Sequence, residues 1–226
     1  ASGEGNKGYS RSYSYDRIGN MTYKSDVGTY VYNYADKPHA ARQAGNISME
    51  YDLLGNMTKR AHSGGTTLDI SWNPDNRPHL IRKDGSPHIR FTYDSTGMRV
   101  RKENLRTGSI TTYFGDYELR GSTGVFHLFA NGQRVASIRT DGKVQYYHTN
   151  HLGSASLITD LGGSVRESIE YYPFGAYRDR QDLDASFPDV NYTFTGQEDD
   201  DETGLYNYNA RLYDPELGRF ISADSI

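Results

Sequence analysis

The sequence predicts an all-β fold of consecutive antiparallel hairpins. Three observations carry this expectation. A tyrosine–aspartate unit of about twenty residues recurs along the first half of the chain. Apolar and polar residues alternate within each unit. The composition is rich in Tyr and Gly, with 20 and 24 residues, and poor in the aliphatic residues that fill helical cores.

The unit is clearest at Tyr15-Asp16-Arg-Ile-Gly19-Asn20-Met21-Thr22 and again at Tyr51-Asp52-Leu-Leu-Gly55-Asn56-Met57-Thr58. A looser copy runs from Tyr93 through Asp94 to Gly97, and degenerate copies begin at Tyr34 and Trp72. Within the units Ile47, Met49 and Tyr51 alternate with Ser48, Glu50 and Asp52. Leu68, Ile70 and Trp72 follow the same rule, as do Ile89, Phe91 and Tyr93. A period of two places these residues on one face of a strand. The closing rings should lie on that face and stack across neighbouring strands. The Asp or Asn that follows each ring can accept hydrogen bonds from the next backbone N–H groups. The Gly three residues later supplies positive φ without a Cβ clash. These Asp residues are therefore read as turn formers rather than catalysts.

Composition narrows the function classes. Leu, Ile, Val and Phe make up about 18% of the 226 residues, a level associated with disorder only when net charge is high. Here the net charge is −4, with 25 basic and 29 acidic residues, and tyrosine rings replace the missing aliphatic area. That balance argues against a general nucleic-acid or membrane-surface binder, and no run predicts a membrane span. The chain has no Cys, which removes disulfides and thiolate chemistry. Residues 1–12 read as a flexible, polar N-terminal segment without a signal-peptide pattern. The best short helix candidate lies near Asp179–Asp184, equally readable as loop, within a stretch to Asn191 that resembles an insertion.

From Tyr146 denser motifs replace the units. Tyr146-Tyr-His-Thr-Asn-His-Leu-Gly-Ser154 is followed by Tyr171-Tyr-Pro-Phe-Gly175 and Phe194-Thr-Gly-Gln197. The last runs from Glu202 through Arg211-Leu-Tyr-Asp214-Pro-Glu-Leu-Gly218-Arg-Phe220 to Asp224. This series closely resembles the RHS repeat-associated core domain, and the preceding units resemble YD repeats. The match divides the chain into a YD-repeat sheet over 13–145 and a core domain over 146–226, truncated at its C-terminal end. The resemblance implies a section of a spiralling hollow β-shell, a cocoon like that of Tc toxin C subunits and bacterial polymorphic toxins. It implies that the shell encapsulates and delivers a C-terminal toxic effector. The partners implied are that cargo, the rest of the shell or a partner shell chain, and a secretion or injection apparatus, with the protein secreted or injected by a bacterium. The alternative is an adhesion or carbohydrate-binding module of teneurin or wall-associated type.

Many members of the family cut themselves with an aspartyl-type site. By resemblance, Asp214 and Asp224 are the candidate carboxylates and Arg211 the candidate ion-pair partner. A pair of this kind needs one carboxyl protonated and one ionised. A turn at Glu216–Gly218 could fold the two Asp-bearing segments together. At most this gives single-turnover autoproteolysis in a parent protein, and none from this fragment. No cofactor is implied. His148 and His151 are read as turn residues without a third metal ligand. The acid run Glu198-Asp-Asp-Asp-Glu202 is read as a solvated turn rather than a calcium loop. No nucleophile–base pair, phosphate loop or dinucleotide fingerprint is visible.

Overall fold

The computed structural model describes residues 8–224. Residues 1–7 of the expected flexible segment, and any cleavage point beyond Ile226, lie outside the described residues. Eighteen strands form one antiparallel meander in which every strand pairs with the next. Its first third comprises β1 (Tyr13–Tyr15), β2 (Met21–Lys24), β3 (Gly28–Val31), β4 (Gln43–Ala44), β5 (Ile47–Tyr51) and β6 (Met57–His62). The middle comprises β7 (Thr67–Trp72), β8 (Pro78–Lys83), β9 (Ser86–Tyr93), β10 (Arg99–Asn104), β11 (Ile110–Phe114) and β12 (Tyr117–Arg120). The last third comprises β13 (Thr123–Ala130), β14 (Gln133–Arg139), β15 (Val144–Thr149), β16 (Ala155–Thr159), β17 (Val165–Tyr171) and β18 (Tyr177–Asp182). A second sheet follows, with β19 (Glu198–Asp200), β20 (Leu205–Asn207), β21 (Leu212–Asp214) and β22 (Arg219–Phe220). The ladder runs unbroken from β14 to β15, across residues 145 and 146.

The turns follow the chemistry read from the sequence. Asp52 Oδ1 accepts from the backbone N–H of Leu54 and Asn56, each at 2.9 Å. The same two-bond clasp recurs at Asp16, Asn73, Asp94, Asn150 and Asp160. Gly55 takes φ +84°, a region that costs residues with a Cβ about 1–2 kcal/mol.

The apolar faces turn inward. Ile47, Met49, Leu68, Ile70, Ile81, Ile89 and Phe91 are buried in one cluster with Leu205, Leu212, Leu217 and Ile221 of the second sheet. The second sheet thus fills the concave side of the meander. It is welded there by backbone as well as side chains: Met57 N–H donates to Ile221 O at 2.8 Å, and Tyr30 Oη donates to Leu217 O at 2.8 Å. The meander curls far enough that its beginning meets its end. Tyr13 packs on Phe174 with ring centroids 5.0 Å apart, and Tyr9 and Arg11 lie against Tyr172. Side chains alone span this gap among the described residues, so the sheet is curled but not closed.

Three expectations are corrected. The helix candidate near Asp179–Asp184 is strand β18 as far as Asp182, paired with β17. Among the described residues there is no α-helix, and the short 3-10 turn lies at Phe194–Gly196. The acid run is not a solvated turn: Glu198, Asp199 and Asp200 form β19 and are buried. Their sequence looks solvated because the counter-charges of Glu198 and Asp200, Arg99 and Lys102, lie about a hundred residues earlier. The closing rings share the core face but do not stack in series. Trp72 and Tyr93 instead donate to the carbonyls of Met57 and Pro78, each at 2.8 Å, because a buried polar tip must find an acceptor. Tyr51 does meet Tyr34 edge-on at 5.9 Å.

Gly97 tests how the turns grip the inner sheet. Its φ is +81°, and a Cβ there would fall 2.7 Å from Arg77 Nη2. Arg77 Nη1 donates to Asn209 O at 3.1 Å and Ala210 O at 2.6 Å. Gly64 has φ +70° with open space around it. Gly97→Ala is therefore expected to lower the urea midpoint more than Gly64→Ala, by roughly 1 kcal/mol beyond the shared backbone strain. Equal losses would show that the Arg77 bridge is not strained by a Cβ at Gly97.

Candidate functional site

The strongest chemistry sits where the meander meets the inner sheet. Period two turns Arg99 and Lys102 inward from β10, across a bulge that shifts its register against β9. Asp200 receives a bidentate grip from Arg99, at 2.9 and 2.8 Å, and a third bond from Lys102 at 2.9 Å. Glu198 adds contacts to Arg99 at 3.3 Å and Lys102 at 3.5 Å and accepts from Tyr113 Oη at 2.5 Å. The Arg99 guanidinium lies over Phe91 at 4.1 Å. Burial opposes ionisation of Asp200, but Arg99 and Lys102 overcome it and hold its carboxyl below the usual range. The same exchange raises the Arg99 and Lys102 pKa values against their own desolvation.

A second seam lies on β12 to β15. Glu118 contacts Arg120 at 2.7 Å and His127 Nε2 at 3.0 Å and accepts from Tyr192 Oη. His127 Nδ1 meets Ser137 Oγ at 2.8 Å, and Ser137 reaches Tyr147 Oη at 3.1 Å. Burial pushes against the Glu118 carboxylate, yet His127 and Arg120 bring its pKa down to about 2. Burial also lowers the His127 pKa. The order serine–histidine–glutamate is that of a hydrolytic triad, and sequence reasoning missed it because its members come from three strands. Ser137 is 0% exposed, so no substrate carbonyl reaches it, and the chain is a structural polar ladder. The available signal was three polar residues at positions where the period of two demands inward ones.

A third contact, from β18 to β19, is titratable near neutrality. Tyr177 donates to Asp199 at 2.5 Å, and Arg180 lies 3.6 Å from it while also holding Glu167 at 2.6 Å. Burial raises the Asp199 pKa to about 6, with Tyr177 and Arg180 opposing the rise.

The three residues named from the sequence divide into two places. Asp214 is fully buried at the end of β21, 3.0 Å from Arg60 Nε, and accepts from Leu217 N–H at 2.9 Å. Burial raises its pKa despite Arg60. The turn after Asp214 does fold β22 back onto β21, opposing Asp214 to Arg219. Asp224, four residues beyond β22, is exposed and meets Arg211 at 3.2 Å. Arg211 is thus brought to Asp224, and Asp214 has its own partner in Arg60. Arg211 and Asp224 line a cavity of about 510 Å³ with Tyr51, His39 and Arg219. His148 lies within β15, one residue before its end, accompanied by Thr159 Oγ1 at 3.0 Å, while His151 is exposed in the following turn. No group of metal-ligating side chains converges among the described residues.

Asp199 gives a signed pH expectation. A folded pKa of about 6 above the unfolded value means the folded state binds the proton better. That contribution is full at low pH and is lost as pH rises through about 6. The loss begins near the unfolded value and is nearly complete above about 6, so between pH 5 and 7.5 the wild type should lose roughly 1.4 kcal/mol relative to Asp199→Asn. Parallel urea-denaturation curves of the two proteins at both pH values would expose a wrong sign directly. Asp200→Asn leaves Arg99 and Lys102 short of one charge and should cost about 3–5 kcal/mol at pH 7. An unchanged midpoint would show that the seam is not under load.

Comparison with known proteins agrees with this architecture. The teneurin YD-shell family model matches residues 3–226. Toxin subunit YenC1 of Yersinia entomophaga is 39% identical over 264 residues, covering 96% of this chain and 26% of YenC1. The tRNA3(Ser)-specific nuclease WapA of Bacillus spizizenii is 28% identical over 227 residues, covering 94% of this chain and 9% of WapA. In the Photorhabdus luminescens Tc holotoxin pore, one chain matches with a TM-score of 0.73 at 23% identity, over 95% of this chain and 12% of that one. The chain therefore spans between about a tenth and a quarter of the length of these relatives. An eighteen-strand Tyr-Asp meander around its own inner sheet, matched by that family model over nearly every residue, establishes that the chain belongs to the teneurin YD-shell family and is an RHS/YD-repeat protein.

Proposed function

We propose that this chain is a wall segment of a toxin shell that, in the whole protein, encapsulates a C-terminal toxic effector for delivery. The observation that carries this reading is the buried ion-paired weld between meander and inner sheet. A wall anchored from within by Arg99, Lys102 and Asp200 resists opening from outside. The named relatives, a toxin subunit and a tRNA nuclease, point to a cargo with toxic activity. The partners in this reading are that cargo, further shell supplied by the same or another chain, and a bacterial export or injection apparatus. The structure of TcdB2-TccC3, matched with a TM-score of 0.59 at 19% identity, supports the choice of a second shell component. Protease protection in the complete reading frame tests the reading. The downstream segment should survive trypsin while the shell is native and be digested once the shell is unfolded. Digestion at the rate of the free segment would refute enclosure.

The Asp214–Asp224 assignment belongs to the same proposal. Asp214, buried with a raised pKa, is suited to hold a proton, and Asp224 faces Arg211 beside an open cavity. In this structure the two carboxyls stand apart, so joint activation of water against a downstream backbone carbonyl requires the segment after β22 to carry Asp224 to Asp214 in the parent. Asp214→Asn and Asp224→Asn in the parent should each leave one uncut polypeptide on a denaturing gel. Complete cutting in the double variant would return both residues to structural roles.

A further inference from the structure

In an antiparallel meander alternate turns lie at the same end of the sheet. The turns after β9, β11, β13 and β15 therefore share one rim. Between that rim and the 195–197 turn lies a cavity of about 810 Å³. Four of its rim residues are large, apolar and exposed: Met98, Phe114, Phe129 and Leu152. Hairpin tips are normally polar, and grouped apolar side chains at an opening mark a binding surface.

Arg134 stands in the wall of this cavity. Its guanidinium lies 3.4 Å from the Tyr192 ring centroid and 4.8 Å from that of Phe129. Its Nε and Nη1 are buried without a hydrogen-bond acceptor. The neighbouring carboxylates are already committed, Glu118 to Arg120, His127 and Tyr192, and Glu198 to Arg99, Lys102 and Tyr113. Arg134 as a residue is half-buried, but two of its donors are shielded from water, and shielded donors without an acceptor are costly. Stacking on two rings compensates the charge but supplies no oxygen. A carboxylate matches the guanidinium fork in shape and charge, and the apolar rim matches a hydrocarbon body attached to it.

We propose that this cavity binds an apolar carboxylic acid, with the carboxylate on Arg134 and the body among Phe114, Phe129, Leu152 and Met98. The acid can come from a small molecule or from a Glu side chain flanked by apolar residues in an extended peptide. Isothermal titration of the full chain uses 4-phenylbutyrate and its neutral amide for the first source. For the second it uses acetyl-Leu-Phe-Glu-Leu-amide and its Gln counterpart. At least one acid should bind about tenfold or more tightly than its neutral partner, and the tighter of the two acids identifies the source. Arg134→Gln should erase the preference for acid. Phe114→Ala, at an exposed tip, should weaken acid and amide alike without disturbing the fold. If Arg134→Gln does not fold, the acid–amide comparison on wild type and on Phe114→Ala decides. No binding of either acid at millimolar concentration, equal affinity for acid and amide, or a preference retained in folded Arg134→Gln would each overturn the proposal.

Discussion

The whole arrangement depends on the grip of Arg99 and Lys102 on Asp200. A strand carrying Glu, Asp and Asp cannot enter an apolar concavity unless each charge is met as it leaves water. The meander meets Asp200 and Glu198 from β10 and the neighbouring strand β11, with Tyr113 completing the shell around Glu198, and meets Asp199 from β18 through Tyr177 and Arg180. Such a cluster is weak evidence of stability, since an apolar replacement of similar shape is often no worse. Its value is selective. Sliding β19 over β10 would part Asp200 from Arg99 and Lys102, so the cluster holds the inner sheet in place. Leu205, Leu212 and Leu217 can then find their places in the core.

Tyrosine makes the rest of this economy workable. Among the described residues, seven hydroxyls reach main-chain carbonyls: those of Tyr30, Tyr32, Tyr34, Tyr93, Tyr171, Tyr206 and Tyr213. Each buries a ring and satisfies a carbonyl in one side chain. A chain with few aliphatic residues can thereby line two faces of a thin wall. Tyr206 and Tyr213 carry the same device from the inner sheet to the turn after β17, where Gly175 and Phe174 supply the acceptors.

The sequence made the meander legible because its determinants are local. Asp16, Asp52 and Asp94 clasp the N–H groups two and four residues ahead, and a period of two shows in any window of six residues. Of the residues singled out in the last motif, Arg211 and Asp224 meet at 3.2 Å, while Asp214 lies with Arg60. The inner sheet was illegible for the opposite reason. Nothing near Glu198–Asp200 announces Arg99, and nothing near Asp214 announces Arg60, 154 positions away. The Glu118–His127–Ser137 ladder was hidden in the same way, since its members are neighbours only after β12, β13 and β14 pair. Strand β18 was misread because its run of Arg, Asp and Gln lacks an apolar face. Its inward Arg180 is occupied by Glu167, Val190 O and Asp199 instead.

The gap between the two ends of the meander gives this wall a mechanical property. A closed barrel has a circumference set by its ladder, and widening it means breaking backbone bonds. Here the described contacts are made by side chains, with Tyr9 and Tyr13 set edge-on against Tyr172 and Phe174 and Arg11 lying over the Tyr172 ring. Ring contacts slide at small cost where ladder bonds must rupture. Parting this seam would leave every β pairing of the meander intact, while the inner sheet, bonded to β3 and β6 on one side and to the turn after β17 on the other, still spans the two ends.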